Sequence, residues 1–229
     1  MKKRITLVCF LLISLQSFAQ DLEFEIRGKY TRPITKDILE NSNLLSDIIV
    51  DYPINWVKEY VAVEVITDHD GKKQLAEGTD LTLSKHQKTI LKEVDLETEI
   101  EIKVRYRTIN AVTEYTENNE MNVKMTVVPK KQAEFPGGYE ELKKYLKENI
   151  IDRVIESTPE EFQRGKVSFI IDSTGKLTNP QISASSGNTD LDNFLLEMIG
   201  NMPNWKPAQN ADGQNVRQRF EFSMGIGGC

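Results

Sequence analysis

Between residues 135 and 224 the spacing of apolar positions changes period in a fixed order. Leu142, Tyr145, Leu146 and Ile150 recur at helical spacing, and Val167, Phe169 and Ile171 alternate along a strand predicted over 166–171. A second strand, 177–185, follows the turn-forming run Asp172-Ser173-Thr174-Gly175, and Pro180 inside it points to an edge or a bulge. Leu191, Phe194, Leu195, Met198, Ile199 and Met202 then keep helical register until Pro203, with Thr189 and Asp192 spaced as a capping box. The segment closes on an alternating strand, 216–224. Val216, Gln218, Phe220 and Phe222 take one face, and Arg217, Arg219 and Glu221 the other. Gly138 is suited to cap the first helix, where Glu140 and Glu141 complement the helix dipole. The order is α-β-β-α-β. A helix between the second and third strands returns the chain, so the third strand pairs beside the first. The predicted sheet is three-stranded and antiparallel with order 2-1-3, and its last strand is an open edge.

Residues 21–128 follow a different pattern. Leu22, Phe24 and Ile26 alternate with Glu23, Glu25 and Arg27, and Ile100, Ile102, Val104 and Tyr106 alternate with charged residues. The stretch 60–66 reads as a central strand joined through Asp68-His69-Asp70-Gly71 to 73–76, and Met121, Val123, Met125 and Val127 give a closing strand. One helix is expected at 85–94 behind Ser84 and Gln87. Many short strands separated by turns suggest an all-β sandwich of immunoglobulin-like type. Residues 129–134 form a polar linker, and 225–229 a Gly-rich tail. The expected fold class is therefore α+β.

Lys2, Lys3 and Arg4 precede the apolar run 5–15, and Ser17-Phe18-Ala19 offers small residues for cleavage. Residues 1–19 are read as a secretory signal, because the run is shorter than the ~20 residues that span a bilayer. Export to the periplasm follows. The segment holds three basic and no acidic residues, so its removal takes the net charge from −6 to −9. Nucleic acid and anionic membrane are disfavoured partners. Cys9 lies within the apolar run and Cys229 is the remaining cysteine, so no intramolecular disulfide is expected.

The ordered set Phe135-Pro136-Gly137-Gly138, Leu142, Tyr145-Leu146, Asn149-Ile150, Gly165-Lys166-Val167, Phe169, Asp172 with Gly175, Leu191-Asp192, Met202-Pro203, Trp205 with Pro207, Gly213 and Val216 resembles the C-terminal domain of TonB-type energy transducers, in the variant with a Phe-Pro-Gly-Gly entrance. Where that family has glycine after Trp-x-Pro, Ala208 stands here, and 151–163 is longer and more acidic. The resemblance implies the α-β-β-α-β fold and binding of an extended peptide from an outer-membrane transporter or another envelope protein. Such binding works by β-augmentation, in which backbone hydrogen bonds give affinity and alternate side chains give selectivity. The residues assigned to partner binding are Val216, Arg217, Gln218, Arg219, Phe220, Glu221, Phe222 and Ser223. An alternative is a structural or assembly role in the envelope, with oligomerisation and no energised transport; a homodimer would fit it. A transducer carries a membrane helix and a long Pro-rich arm, whereas the eight prolines here are scattered.

Catalysis is not expected. His69 and His86 have no metal-type spacing with Cys or Asp, and Asp68-His69-Asp70-Gly71 lacks the later ligands of a calcium loop. Glu160-Glu161 reads as solvated loop, and Trp205 between Pro203 and Pro207 as a packing anchor. No cofactor is called for.

Overall fold

The computed structural model describes residues 22–50, 52, 54–69, 71–157 and 162–226; the readings placed on residues 1–19, Asp70, Glu160, Glu161 and Cys229 lie outside them. The Leu22/Phe24/Ile26 alternation forms a strand (β1, Leu22–Gly28), followed by a short strand (β2, Pro33–Thr35) and two short helices (α1, Lys36–Asn41; α2, Leu45–Ile48). A hairpin comes next (β3, Glu59–His69; β4, Lys72–Gly78), then a helix (α3, Lys85–Lys92) and a long hairpin (β5, Glu99–Ile109; β6, Thr116–Val128).

Apart from β1, these strands make one sheet in the order β2-β6-β5-β3-β4, with only β2–β6 parallel. The expected sandwich is corrected to a single sheet whose second layer is helical. Leu39, Leu45, Ile48, Ile90 and Leu91 from the helices are buried with Val63, Val65, Ile100, Ile102, Val104, Met125 and Val127 from the strands. The opposite face cannot receive a second sheet, because it carries charge. Arg105 pairs with Glu64 at 3.0 Å, and Asn122 donates to Glu101 at 2.7 Å. Helices α1 and α2 escape a periodicity reading because six and four residues do not complete two turns.

Helix α3 shows how local sequence fixes its position. Ser84 and Gln87 form the capping box: Gln87 N donates to Ser84 Oγ at 3.2 Å and Ser84 N to Gln87 Oε1 at 2.8 Å. Gln87 is fully buried, and its side-chain nitrogen donates to the Val63 carbonyl at 2.9 Å. One residue thus both caps the helix and bolts it to the middle of the sheet.

The second unit begins with a helix (α4, Gly138–Leu146) that continues through a single π turn (Lys147–Ile151) into a further short helix (α5, Asp152–Ser157). Its N-cap is Gly137, one residue earlier than expected, at φ +83°. The wider π turn places both Ile150 and Ile151 in the core together with Val154, and helix thus continues into the longer, acidic stretch that departs from the family pattern. The hairpin β7 (Gly165–Ile171) and β8 (Leu177–Ala184) follows, then α6 (Thr189–Gly200), a small pair (β9, Ala208–Gln209; β10, Asn215–Val216) and the last strand (β11, Gln218–Ile226).

Trp205 holds this unit together. Its ring lies against Phe135, Phe169 and Phe220 at centroid distances of 5.5, 6.3 and 5.1 Å. Gly175 fixes the segment that delivers it: Trp205 N donates to the Gly175 carbonyl at 2.7 Å, and Gly175 sits at φ +88°. A Cβ there would fall 1.9 Å from the Trp205 carbonyl oxygen. Replacement of Gly175 by alanine is therefore expected to cost at least ~2 kcal/mol, and Trp205→Ala about 3–5 kcal/mol. Urea titration of each variant checks both, and parent-like midpoints would refute them.

The cap of α6 is Asn188 rather than Thr189; its Oδ1 accepts from Leu191 N at 3.0 Å. Asp192 instead secures the preceding loop. Burial pushes its carboxyl up, but hydrogen bonds from Ser185 Oγ (2.6 Å) and Ser186 N (2.9 Å) outweigh this and hold it below the ordinary 3.8. A depressed carboxyl stabilises the fold fully above its unfolded value and loses that contribution as pH falls through the lower folded value. Asp192→Ala is expected to lower stability by about 1 kcal/mol at neutral pH, with the difference from the parent vanishing in acid below the folded pKa. Melting curves across pH 2–7 measure it.

Candidate partner-binding edge

The strand expected to be an open edge is enclosed. The second sheet runs β1-β11-β7-β8, all antiparallel. The register pairs Leu22 with Ile226 and Gly28 with Phe220. Strand β1, read from sequence as part of the first unit, is thus the fourth strand of the second. Its apolar side chains Leu22, Phe24 and Ile26 pack on the core formed by α4, α6 and the sheet. The missing strand lies at the other end of the sequence, so an order derived from 135–224 alone could not contain it.

The eight residues assigned to partner binding consequently have other positions. Val216 belongs to β10 and pairs with Ala208. Phe220, Phe222 and Ser223 are buried, as is Gln218, whose Oε1 accepts from Ala133 N at 2.7 Å while its amide nitrogen meets Gln132. Arg217 and Arg219 reach back to the first unit, and both approach one oxygen of Glu97, at 3.4 and 3.3 Å. Glu221 pairs with Lys166 at 3.1 Å and accepts from Ser183 Oγ at 3.3 Å. Side chains expected to guard an edge tie neighbouring strands and the two units together. The linker is likewise engaged: Lys131 and Gln209 exchange backbone hydrogen bonds, as do Glu134 and Lys206.

Two strands remain at the margins of the sheet. Strand β8 is interrupted, since Asn179 has φ +52°, Pro180 follows, and its register with β7 shifts between Ser168 and Ile170. Bulges and proline of this kind protect an edge. Strand β1 has no interruption along its seven residues. Its parity follows from one bond. Lys29 N donates to the Arg219 carbonyl at 3.0 Å, and antiparallel bonding alternates every second residue. Glu23, Glu25 and Arg27 therefore bond inward to β11, and Leu22, Phe24 and Ile26 present their amides and carbonyls outward. The Gly28 carbonyl is taken by Tyr30 N at 3.0 Å, which closes that end.

Beside this edge lies a groove of about 520 Å³ between β1 and α4, lined by Leu22, Phe24, Ile26, Tyr139, Lys143 and Leu146 among others. Tyr139 is 56% exposed, and the Lys143 ammonium sits 4.8 Å from the centre of its ring. A strand added to β1 would turn every second side chain into this groove. The sequence held the clue to it: the alternation at 22–27 was legible, but its partner was not.

The second unit is a two-layer α+β fold that leaves one regular sheet edge unpaired among the described residues. Within it, residues 164–224, about a quarter of the chain, match the family model for the Gram-negative bacterial TonB protein C-terminal. This part of the chain is similar to that domain, and β1 and α4 lie outside the matched stretch. No curated protein and no solved structure matches the chain. No helix among the described residues is long and apolar enough to cross a membrane. Also among the described residues, no group of three or more His, Cys, Asp or Glu side chains could hold a metal ion.

In dilute protein the amides of Glu23, Glu25 and Arg27 are expected to exchange with deuterium at least about tenfold more slowly than those of Phe24 and Ile26. The reverse order would mean that β1 turns its other parity outward.

Proposed function

We propose that the protein is an exported, periplasmic binding module of the cell envelope, and that its C-terminal domain takes an extended segment of an outer-membrane transporter or another envelope protein by strand addition. The accepting edge in this reading is β1 and not β11. One observation carries it: β1 offers three consecutive outward-facing main-chain positions beside an apolar groove, while β11 is paired on both sides. The family match supports a protein-interacting role of TonB type. Backbone bonds to Leu22, Phe24 and Ile26 would each contribute ~1 kcal/mol net, and side chains entering the groove against Phe24 and Tyr139 would provide the discrimination. The module acts by binding alone, without a cofactor or a catalytic step.

The test is binding of a fluorescent peptide from the periplasmic segment of an outer-membrane transporter. Phe24→Pro removes an outward amide that has no partner in the sheet, and places a ring where the added strand must approach. Binding is expected to fall at least about tenfold, while the melting transition persists. If the folded variant binds as tightly as the parent, the β1 edge is not the binding surface.

A further inference from the structure

The end of the first sheet away from the joint carries apolar side chains that the rest of the described molecule leaves bare. Val112 is 91% exposed, Tyr115 76%, Trp56 72% and Ile109 51%. They come from two segments that meet at one pole. Lys58 N donates to the Arg107 carbonyl at 2.8 Å, which lays the single helical turn Ile54–Trp56 beside the end of β5. Between them runs a groove of about 470 Å³, lined by Trp56, Val57, Lys58, Thr108 and Ile109 among others. The opposite end of β5 adjoins the second unit, where Glu97 receives Arg217 and Arg219. The 11 residues of β5 put about 34 Å between the two ends.

The β5–β6 turn at this pole is held by its own hydrogen bonds. Asn110 Oδ1 accepts from Val112 N at 2.9 Å and from Thr113 N at 3.1 Å, and the Asn110 carbonyl accepts from Glu114 N at 2.9 Å. Asn110 N donates to the Tyr115 carbonyl at 3.0 Å and closes the loop. Val112 is thus fixed at the apex by main-chain bonds, and its side chain adds nothing to the packing of the fold. Tyr115 and Ile109 follow at the base of the loop, with Trp56 beside Ile109. An aliphatic apex backed by tryptophan and tyrosine matches the layering of a bilayer surface, where apolar side chains enter the acyl boundary and amphipathic rings rest at headgroup level. Charge narrows the kind of surface. Arg107 is paired with Glu59 at 2.9 Å, and Glu117 accepts from Asn110. Lys58 and Glu114 have no side-chain partner among the described residues. One free cation and one free anion complement a headgroup that itself carries a phosphate and an ammonium, while a net charge of −6 works against anionic lipid.

We propose that this pole docks the protein on a zwitterionic phospholipid surface, with Val112, Tyr115, Ile109 and Trp56 entering the interface, Lys58 meeting phosphate and Glu114 meeting ammonium. A protein partner fits the site less well, because the apolar side chains stand on a hairpin apex two strands wide and not on a face broad enough for a stable protein interface. Docked in this way, the first unit acts as a spacer that holds its joint with the second unit about 34 Å from the membrane. The inference goes beyond the strand-addition reading of β1 and does not depend on it.

Trp56 reports the event directly, since the chain has two tryptophans and Trp205 is buried. With phosphatidylcholine vesicles the purified protein is expected to float on a density gradient, its emission to shift to the blue, and that emission to be quenched by lipid brominated on the acyl chains. Val112→Asp should lower the partition coefficient at least about tenfold with the melting transition unchanged, because that side chain is 91% exposed. Leu75→Asp places the same charge at a half-exposed position of β4, away from the pole, and should leave partition as it was. Exchanging about a third of the lipid for phosphatidylglycerol should not strengthen binding. Absence of partition on phosphatidylcholine, partition indifferent to Val112→Asp, or equal loss in Leu75→Asp overturns the proposal, as does binding that requires phosphatidylglycerol. No binding to vesicles combined with a Val112-dependent crosslink to an envelope protein also overturns it and assigns the pole to a protein partner.

Discussion

The pairing of β1 with β11 is the constraint on which the rest of the molecule depends. It joins Leu22–Gly28 to the strand that ends at Ile226, so the first and last described strands lie side by side. Through it the second unit gains a fourth strand, and the apolar side chains of Leu22, Phe24 and Ile26 extend its core beneath α4. Because β1 is covalently followed by β2 of the other sheet, the units cannot part without tearing this strand away. Arg217 and Arg219 reinforce the junction from β11 by sharing Glu97, which itself adopts a left-handed backbone conformation at φ +68°. The joint is therefore built from strand pairing and converging charge as well as from a linker.

The same pairing explains a reversal in the meaning of charged residues. On an exposed edge, Arg217, Arg219 and Glu221 would repel unwanted strands. In the interior of a sheet each needs a partner, and each has one in Glu97, Lys166 or Ser183. The residues that carry the alternating charge at the true margin are Glu23, Glu25 and Arg27. Sequence pattern marks both sets alike, since alternation reports that one face is solvated and says nothing about what lies beside the strand.

Local features were legible because local chemistry determines them. The Ser84/Gln87 box, the helical repeat from Leu191 to Met202 and the turn at Asp172 are each set by residues within a few positions. The flanking Pro203 and Pro207 mark Trp205 as an anchor, although Phe135, Phe169 and Phe220, on which it packs, are distant in sequence. Pro180 points to an edge or a bulge, and β8 has both. What escaped is non-local or short. Helices α1 and α2 are too brief to show a period, so the helical layer is nearly invisible in the pattern and the five-stranded sheet reads as a sandwich. The site was misplaced for a related reason: strand order was inferred inside one segment, while the strand that completes it comes from some 190 residues upstream of β11. The family similarity spans 164–224 and does not extend to β1, which lies beyond the matched stretch.

Adjacency of the first and last strands also sets an order of events for the growing chain. The five-stranded sheet has all its strands once Val128 has been made, and its hairpins close over short loops. The other sheet must wait. Until β11 is synthesised, β1 has no neighbour, and closing a loop of this length carries an entropic cost that only the completed α4–α6 core can offset. During that interval Leu22, Phe24 and Ile26 are bare on both sides, on a strand already tethered to a folded unit. The protein thus has a window in its own biogenesis when both edges of this short segment are open to whatever chaperone or sister chain is at hand.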